Sequence, residues 1–314
     1  MISFFHHQTN FGFIKNRYKA YALSIALFIG TIVSVILHGG LNFGVDFTGG
    51  TMMQIHFSAP VPTDQLRKAL SDGGIPNVEI QKVKDTELIK NAFMIRTGLT
   101  EERSDQEGGK PGSIVERIKT VLSQRFSDNQ VSIDSNETVG PKIGKELQRN
   151  AIWAVLIGCV LILTYVAFRF DFRFGVASVT ALFHDVVCTI GFISVTNMEF
   201  NLQSVAVLLT VIGYSINDSI VVADRIRENL RKSQKETYPE LINRSINETL
   251  SRTVITVLTL LLVLVALQFF AGRVLSDFTK PLLFGLVVGT YSTIFVVSSL
   301  VVDWELKSPT KRKK

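Results

Sequence analysis

Two carboxylates and one imidazole stand where an ionised group is costly. Asp185, Asp218 and His184 lie inside long apolar runs of this 314-residue chain. A charged side chain at such a depth costs at least ~2.5 kcal/mol unless it is paired, hydrated or neutralised. Asp218 falls in Gly213-Tyr214-Ser215-Ile216-Asn217-Asp218-Ser219. On a helix Tyr214 and Ser215, at i−4 and i−3, share its face, while Asn217 and Ser219 flank it. Arg252 opens the next apolar run, and Thr256 and Thr259 follow at i+4 and i+7 as a polar stripe. A carboxylate within reach of an arginine that approaches and withdraws can load and release a proton; a fixed pair would only hold two helices together. The arrangement favours proton handling. His184-Asp185 leaves the choice open. Adjacent residues project about 100° apart on a helix, and Cys188 and Thr189 share the face of Asp185, so a relay role and an interhelical hydrogen bond both fit.

Covalent chemistry finds no support. The segment 140–146 (GPKIGKE) has the wrong glycine spacing for a phosphate loop, and Glu146 replaces the hydroxyl that would meet Mg²⁺. No nucleophile elbow, HExxH motif or Cys/His cluster is present in the sequence. Cys159 and Cys188 fall inside apolar runs as small buried thiols, without a disulfide framework or metal spacing. The expectation is a protein that is not an enzyme and needs no cofactor or metal.

The elements that must carry these groups follow from charge segregation. Six runs, 20–37, 151–168, 174–195, 202–223, 253–270 and 281–302, contain only two of the 60 formal charges, Asp185 and Asp218. Each is long enough to cross the ~30 Å hydrocarbon layer as a helix, which excludes a soluble enzyme. The first run follows Lys15, Arg17 and Lys19 and lacks a small-x-small cleavage site, so it reads as a retained anchor. Lys and Arg are concentrated in the arm 1–19, the turn 169–173, the segment 224–252 and the tail 303–314. The positive-inside rule therefore places both termini in the cytoplasm and residues 38–150 on the outer side. Asp218 would then lie ~8 Å from the cytoplasmic end of its span. The net charge of +6 reflects this topology rather than nucleic-acid binding. The tail Lys311-Arg312-Lys313-Lys314 would face lipid head groups. The charged, helix-compatible stretch 224–248 would be a solvated helix or a docking surface for a partner.

The outer domain reads as strand 50–57, helix 63–70, strands 78–83 and 91–97, helix 113–126 and strand 131–134, a ferredoxin-like α+β order. Its polar, Gly-rich stretch 101–112 reads as a mobile loop. His38 reads as an interfacial residue at the outer mouth of the first span.

Five segments together resemble the SecD/SecF family of protein-translocase subunits, on the SecF side, within the resistance-nodulation-division superfamily. They are residues 44–51 (GVDFTGGT), 139–144 (VGPKIG), 181–186 (ALFHDV), 214–219 (YSINDS) running into 224–229 (DRIREN), and 251–253 (SRT). The resemblance implies six transmembrane helices with a periplasmic domain between the first two, in the bacterial cytoplasmic membrane. It implies a separate SecD chain as the complementary half, and as further partners the SecYEG channel, YajC, YidC and the translocating preprotein. It implies proton passage at Asp218 and Arg252, coupling the proton motive force to late protein export. It supplies no role for His184 or Asp185. A proton-coupled exporter of small molecules or lipids, and a non-conducting scaffold, are the competing readings.

Overall fold

The structure is a computed structural model that describes residues 9–75, 78–83, 90–98, 113–169, 172–232, 236–270 and 272–309. The stretch 101–112, expected to be a mobile loop, and the residues Lys311 to Lys314 lie outside them. The chain divides into two compact units, Phe43–Ile152 and Met1–Asn42 with Trp153–Lys314.

The first unit begins with a single helical turn, α2 (Val45–Thr48), which follows α1 (Arg17–Leu37) of the other unit. Strand β1 (Gly50–Phe57), helix α3 (Thr63–Asp72), strands β2 (Glu79–Lys82) and β3 (Ala92–Thr97), helix α4 (Ser113–Arg125) and strand β4 (Val131–Val139) complete it. The sheet order is β2-β3-β1-β4, and every neighbouring pair is antiparallel. Period-two alternation sets the register: Met53, Ile55 and Phe57 point to one face, with Ile55 opposite Phe93 and Met53 opposite Ile95. Leu66 and Leu70 of α3 and Ile118 and Leu122 of α4 close that face into one core. Strand β4 runs five residues beyond the sequence expectation because a bulge between Gln54 and Ile55 restores pairing past Asp134. The displaced Asp134 carboxylate accepts from Gln54 and pairs with His56 on the opposite face.

Two of the sequence motifs meet in this unit. Gly49 and Gly50 have φ of 74° and 148°, so the chain turns sharply from α2 into β1. A Cβ on Gly50 would lie 2.7 Å from the Thr97 carbonyl, and one on Gly144 would lie 3.0 Å from Gly49 N and Phe47 O. Residues 44–51 and 139–144 are thus two halves of one close backbone contact. Gly50→Ala is expected to cost about 1–3 kcal/mol through positive-φ strain and the carbonyl clash, read as a lowered unfolding midpoint of the full chain.

The second unit is helical. It contains α1, most of α5 (Pro141–Arg169), α6 (Phe172–Val195), α7 (Leu202–Lys232), α8 (Tyr238–Phe270), α9 (Gly272–Tyr291), a π-helical stretch Ser292–Val297, and α10 (Ser298–Lys307). Six of the described helices are long and apolar enough to cross a membrane. Helices α1, α5 and α8 leave large apolar residues exposed, among them Ile36, Leu161 and Phe269, as a lipid-facing surface requires. Helices α6 and α7 instead bury small and polar residues at helical spacing.

Small residues bring the helices together. A Cβ on Gly191 of α6 would stand 2.0 Å from Thr31 Oγ1 of α1, and one on Gly285 of α9 would stand 2.4 Å from Val211 of α7. The last span begins earlier than its hydropathy suggested. Residues 272–280, which the apolar runs leave as a connection between the last two spans, form the first turns of α9. Gln268 donates to Ser276 Oγ at 2.8 Å and accepts from Thr279 at 2.6 Å, so these side chains are satisfied between helices. Residues 224–232 and 238–252 are likewise helical extensions of α7 and α8.

One end of this unit gathers both termini of the bundle and that hairpin. Arg17 pairs with Asp303 at 2.9 Å, and the Tyr21 hydroxyl donates to the same carboxylate. Asn243 and Asn247 of α8 hold the backbone of Phe11. Arg173 pairs with Glu305 there as well.

Candidate functional site

Asp218 lies on the buried face of α7 with Ser215, Ser219 and Val222, at i−3, i+1 and i+4. Its side chain points into the seam with α8 and is 5% exposed. Thr253 Oγ1 donates to Oδ1 at 3.1 Å, whereas the buried Oδ2 has no hydrogen-bond partner among the described residues. A buried carboxylate with one oxygen unsatisfied is far from the static, fully bonded pair that structural stabilisation demands. That oxygen is open to a proton or to a hydrogen-bond donor.

Arg252 is the neighbouring cation, and it does not pair with Asp218 here. It is exposed, while Thr253, the next residue, turns inward and is 1% exposed. Among the described residues no ion pair forms to Arg252. Glu248, one turn before it, is taken by Arg225 at 2.6 Å, Arg244 at 2.9 Å and Asn229 at 2.7 Å. The charges of the α7–α8 hairpin therefore satisfy one another and leave the Arg252 guanidinium outside their network. Thr256 and Thr259 share its outer face and turn their hydroxyls back onto carbonyls of their own helix.

A second carboxylate is built differently. Asp185, on α6, has no exposed surface. Its Oδ2 accepts from Ser215 of α7 at 2.6 Å and from Ser292, the first π-helical residue, at 2.7 Å. Its Oδ1 lies 3.0 Å from His184 Nδ1, so these adjacent residues are partners despite projecting in different directions. His184 Nε2 faces Cys188 Sγ at 3.6 Å, and its ring lies 6.3 Å from that of Tyr291. Thr189 bonds the Asp185 backbone carbonyl rather than the carboxylate.

The remaining sequence candidates separate. Ser215 joins the two carboxylates' surroundings, since it bonds Asp185 and shares the face of Asp218. Tyr214 is half-buried among residues of α7, α8 and α9, and its hydroxyl has no hydrogen-bond partner among the described residues. Asn217 is exposed on the opposite side of α7 from the buried seam. Sequence reasoning missed Thr253, Ser292 and Thr293. Thr253 was hidden because the inward residue at a helix start depends on helix rotation; the other two lie in a span that carried no charge to draw attention.

Residues 118–307 match the family described as protein export membrane protein SecD/SecF, C-terminal, and residues 34–61 match the SecD/SecF GG motif. A protein translocase subunit SecF of Endomicrobium trichonymphae is 40% identical over 98% of this chain and 96% of its own length. The chain belongs to the SecD/SecF family. Among its relatives is the protein translocase subunit SecDF of Thermus thermophilus, 44% identical over 91% of this chain and 37% of its own length. The crystal structure of SecDF from that organism superposes with a TM-score of 0.80 at 43% identity, covering 95% of this chain and 39% of that one. A SecDF structure in a super-membrane-facing form gives a TM-score of 0.68 at 41% identity, covering 96% and 40%. This chain spans about two fifths of the length of the fused SecDF proteins. The SecD/SecF motifs in 44–51 and 139–144 form the glycine contact described above, and those in 181–186, 214–219 and 251–253 supply both carboxylates and the α8 partner.

Proposed function

We propose that this chain is an auxiliary subunit of the Sec preprotein translocase which acts with SecD to couple the proton motive force to late steps of protein export. The observation that carries the reading is Asp218: a buried carboxylate with one unsatisfied oxygen, in a chain that aligns end to end with SecF translocase subunits. A proton bound at Oδ2 neutralises the group; its loss leaves a charge that draws the guanidinium of Arg252 inward from the face it now occupies. Thr253 moves with Arg252 on the same helix, so this exchange alters α7–α8 packing. Ser215, Tyr214 and the pair His184–Asp185 lie on the buried side of the same helices, whereas Asn217 faces away from them. No step breaks or forms a covalent bond other than O–H, and the role is not enzymatic.

The SecDF relatives carry both halves in one chain, which supports a separate SecD chain as the partner here. Asn217 and Arg252 are exposed polar groups on apolar helices, and a protein neighbour covers such groups better than lipid. The charge asymmetry supports cytoplasmic termini and a periplasmic position for 38–150 in a bacterial cytoplasmic membrane. The β2-β3-β1-β4 order with two helices on one face supports a ferredoxin-like periplasmic domain. SecYEG, YajC, YidC, the preprotein and lipids complete the expected surroundings.

The test is export of a preprotein into inverted membrane vesicles that contain SecD, with and without this chain. The chain is expected to raise the yield of completed export several-fold when a proton gradient is present, and an uncoupler is expected to abolish the gain. A gain that survives the uncoupler would identify a scaffold. No gain, together with gradient-driven efflux of a small amphiphile, would identify an exporter.

A further inference from the structure

The carboxylate of Asp185 has more hydroxyl donors than a helix-to-helix strut needs, and one of them has somewhere else to go. Ser215 and Ser292 both place hydroxyls on Oδ2, at 2.6 and 2.7 Å, the range of hydroxyl bonds to an ionised oxygen. Ser292 has a single hydrogen and a second acceptor, the Gly289 carbonyl at 3.0 Å. With Asp185 ionised, both serines donate to it. With a proton on Oδ2, the acid donates to Ser292 Oγ, and the serine hydrogen turns to Gly289. The Asp185 carboxyl and the Ser215 and Ser292 hydroxyls are satisfied in both states, so neither state orphans a donor or acceptor of this cluster.

The switching serine opens the π-helical stretch, a geometry that occurs frequently at functional sites. Its neighbour Thr293 makes a hydroxyl pair with Ser219 at 3.0 Å and reaches the Ser215 carbonyl at 3.4 Å. Ser215 and Ser219 bracket Asp218 on α7. Consecutive residues of one π turn therefore touch Asp185 on one side and the helix face of Asp218 on the other. We propose that Asp185, with Ser215 and Ser292, is a second proton-binding site, and that its protonation is transmitted through the Ser292–Thr293 turn to the helix that carries Asp218. One proton enters and one O–H bond forms; nothing else is consumed.

The titratable groups around the site are His184 and Cys188 on α6, Tyr214 and Asp218 on α7 and Tyr291 on α9. From α1 come the Ser24 and Thr31 hydroxyls. The Arg173–Glu305 pair that joins α6 to α10 lies ~18 Å along α6 from Asp185. Tyr291 is held by the Ala20 carbonyl at 2.6 Å and by Ser24, so His184, 3.0 Å from Oδ1, is the titratable side chain in hydrogen-bond contact with the Asp185 carboxylate among the described residues.

The inference deepens the proton reading of this seam and is tested by pH-difference infrared spectroscopy of the full chain in phosphatidylcholine–phosphatidylglycerol vesicles. Across the pH range in which the chain stays folded, the wild type is expected to show two titrating carboxylic acid carbonyl bands from buried sites. Asp185→Asn removes one and Asp218→Asn the other. Ser292→Ala, a small change that keeps both carboxylates, displaces the midpoint of the Asp185 band by about one pH unit, because it removes one of the two hydroxyls whose bonds to Oδ2 favour the charged form. An Asp185→Asn spectrum that superimposes on the wild type, or an unmoved midpoint in Ser292→Ala, overturns the proposal. Loss of a band only in Asp218→Asn leaves the translocase reading standing and refutes the second site. Loss only in Asp185→Asn does the reverse.

Discussion

Asp218→Asn is expected to reduce gradient-stimulated preprotein export to the level of vesicles lacking this chain, while the protein still inserts and folds. Asparagine matches the volume of aspartate and keeps an acceptor for the Thr253 hydroxyl, which donates to Oδ1 at 3.1 Å. It also removes an ionisable group from a buried site. The expected change in stability is therefore within about 1 kcal/mol, either way. What asparagine cannot do is gain and lose a proton. If Asp218 only held α7 to α8, the amide would serve as well as the acid, and export would be unchanged. Folding is checked by the unfolding midpoint and by co-purification with SecD. Export at wild-type yield from a folded variant would sink the proton-coupled reading and favour the scaffold.

The largest structural effect is expected at Gly191. Its Cα faces Thr31, and a Cβ there would fall 2.0 Å from Oγ1, 2.9 Å from Cβ and 3.1 Å from Cγ2 of that threonine. A β-branched side chain cannot rotate all three atoms away, so the α1–α6 contact must open. The Thr31 hydroxyl bridges this contact by donating within α1 to Leu27 O at 3.0 Å and lying 3.4 Å from Val187 O of α6. Gly191→Ala is expected to cost about 1–3 kcal/mol, and Gly191→Leu to prevent α1 from docking. Thr31→Ala combined with Gly191→Ala should recover at least half of the loss, since the two sites are in direct contact. Unfolding midpoints of the purified single and double variants check this. Additive costs would show that the damage arises elsewhere.

These sites differ in how far the sequence discloses them. The spans are legible because hydrocarbon excludes charge so strongly that six runs hold only two of 60 formal charges. Asp218 is legible for the same reason: a charge in such a run is an exception that needs a cause. The alternation of Met53, Ile55 and Phe57 gave β1, and the strand-helix order gave the sheet's composition, though the bulge at Gln54 that lengthens β4 has no local signal. The stretch 271–280 reads as a connection between spans until Gln268 is known to satisfy Ser276 and Thr279 across the helix pair. Hydropathy measures the solvent a residue prefers, and a buried hydrogen bond replaces that solvent.

The partners of the two carboxylates are the least legible. Ser215 is 30 residues from Asp185 and Ser292 is 107 away. Neither distance has a period, and serine is common in apolar helices. Arg252 was expected to reach toward Asp218, but the inward position at the start of that span belongs to Thr253. A helix rotation of about 100° separates the two, and the packing of Leu250, Thr253 and Val257 fixes it. The exposed Arg252 and the unsatisfied Asp218 oxygen are together what the proposed proton-loaded state requires, with the guanidinium withdrawn.

That state makes a direct demand on proton movement. The deciding measurement is proton uptake into vesicles reconstituted with this chain and SecD, followed with an internal pH dye under an imposed membrane potential. Wild type is expected to admit protons at least about tenfold faster than vesicles carrying the Asp218→Asn variant, which should match empty vesicles. Equal uptake by the variant and the wild type would contradict the assignment of Asp218 as the group that carries the proton.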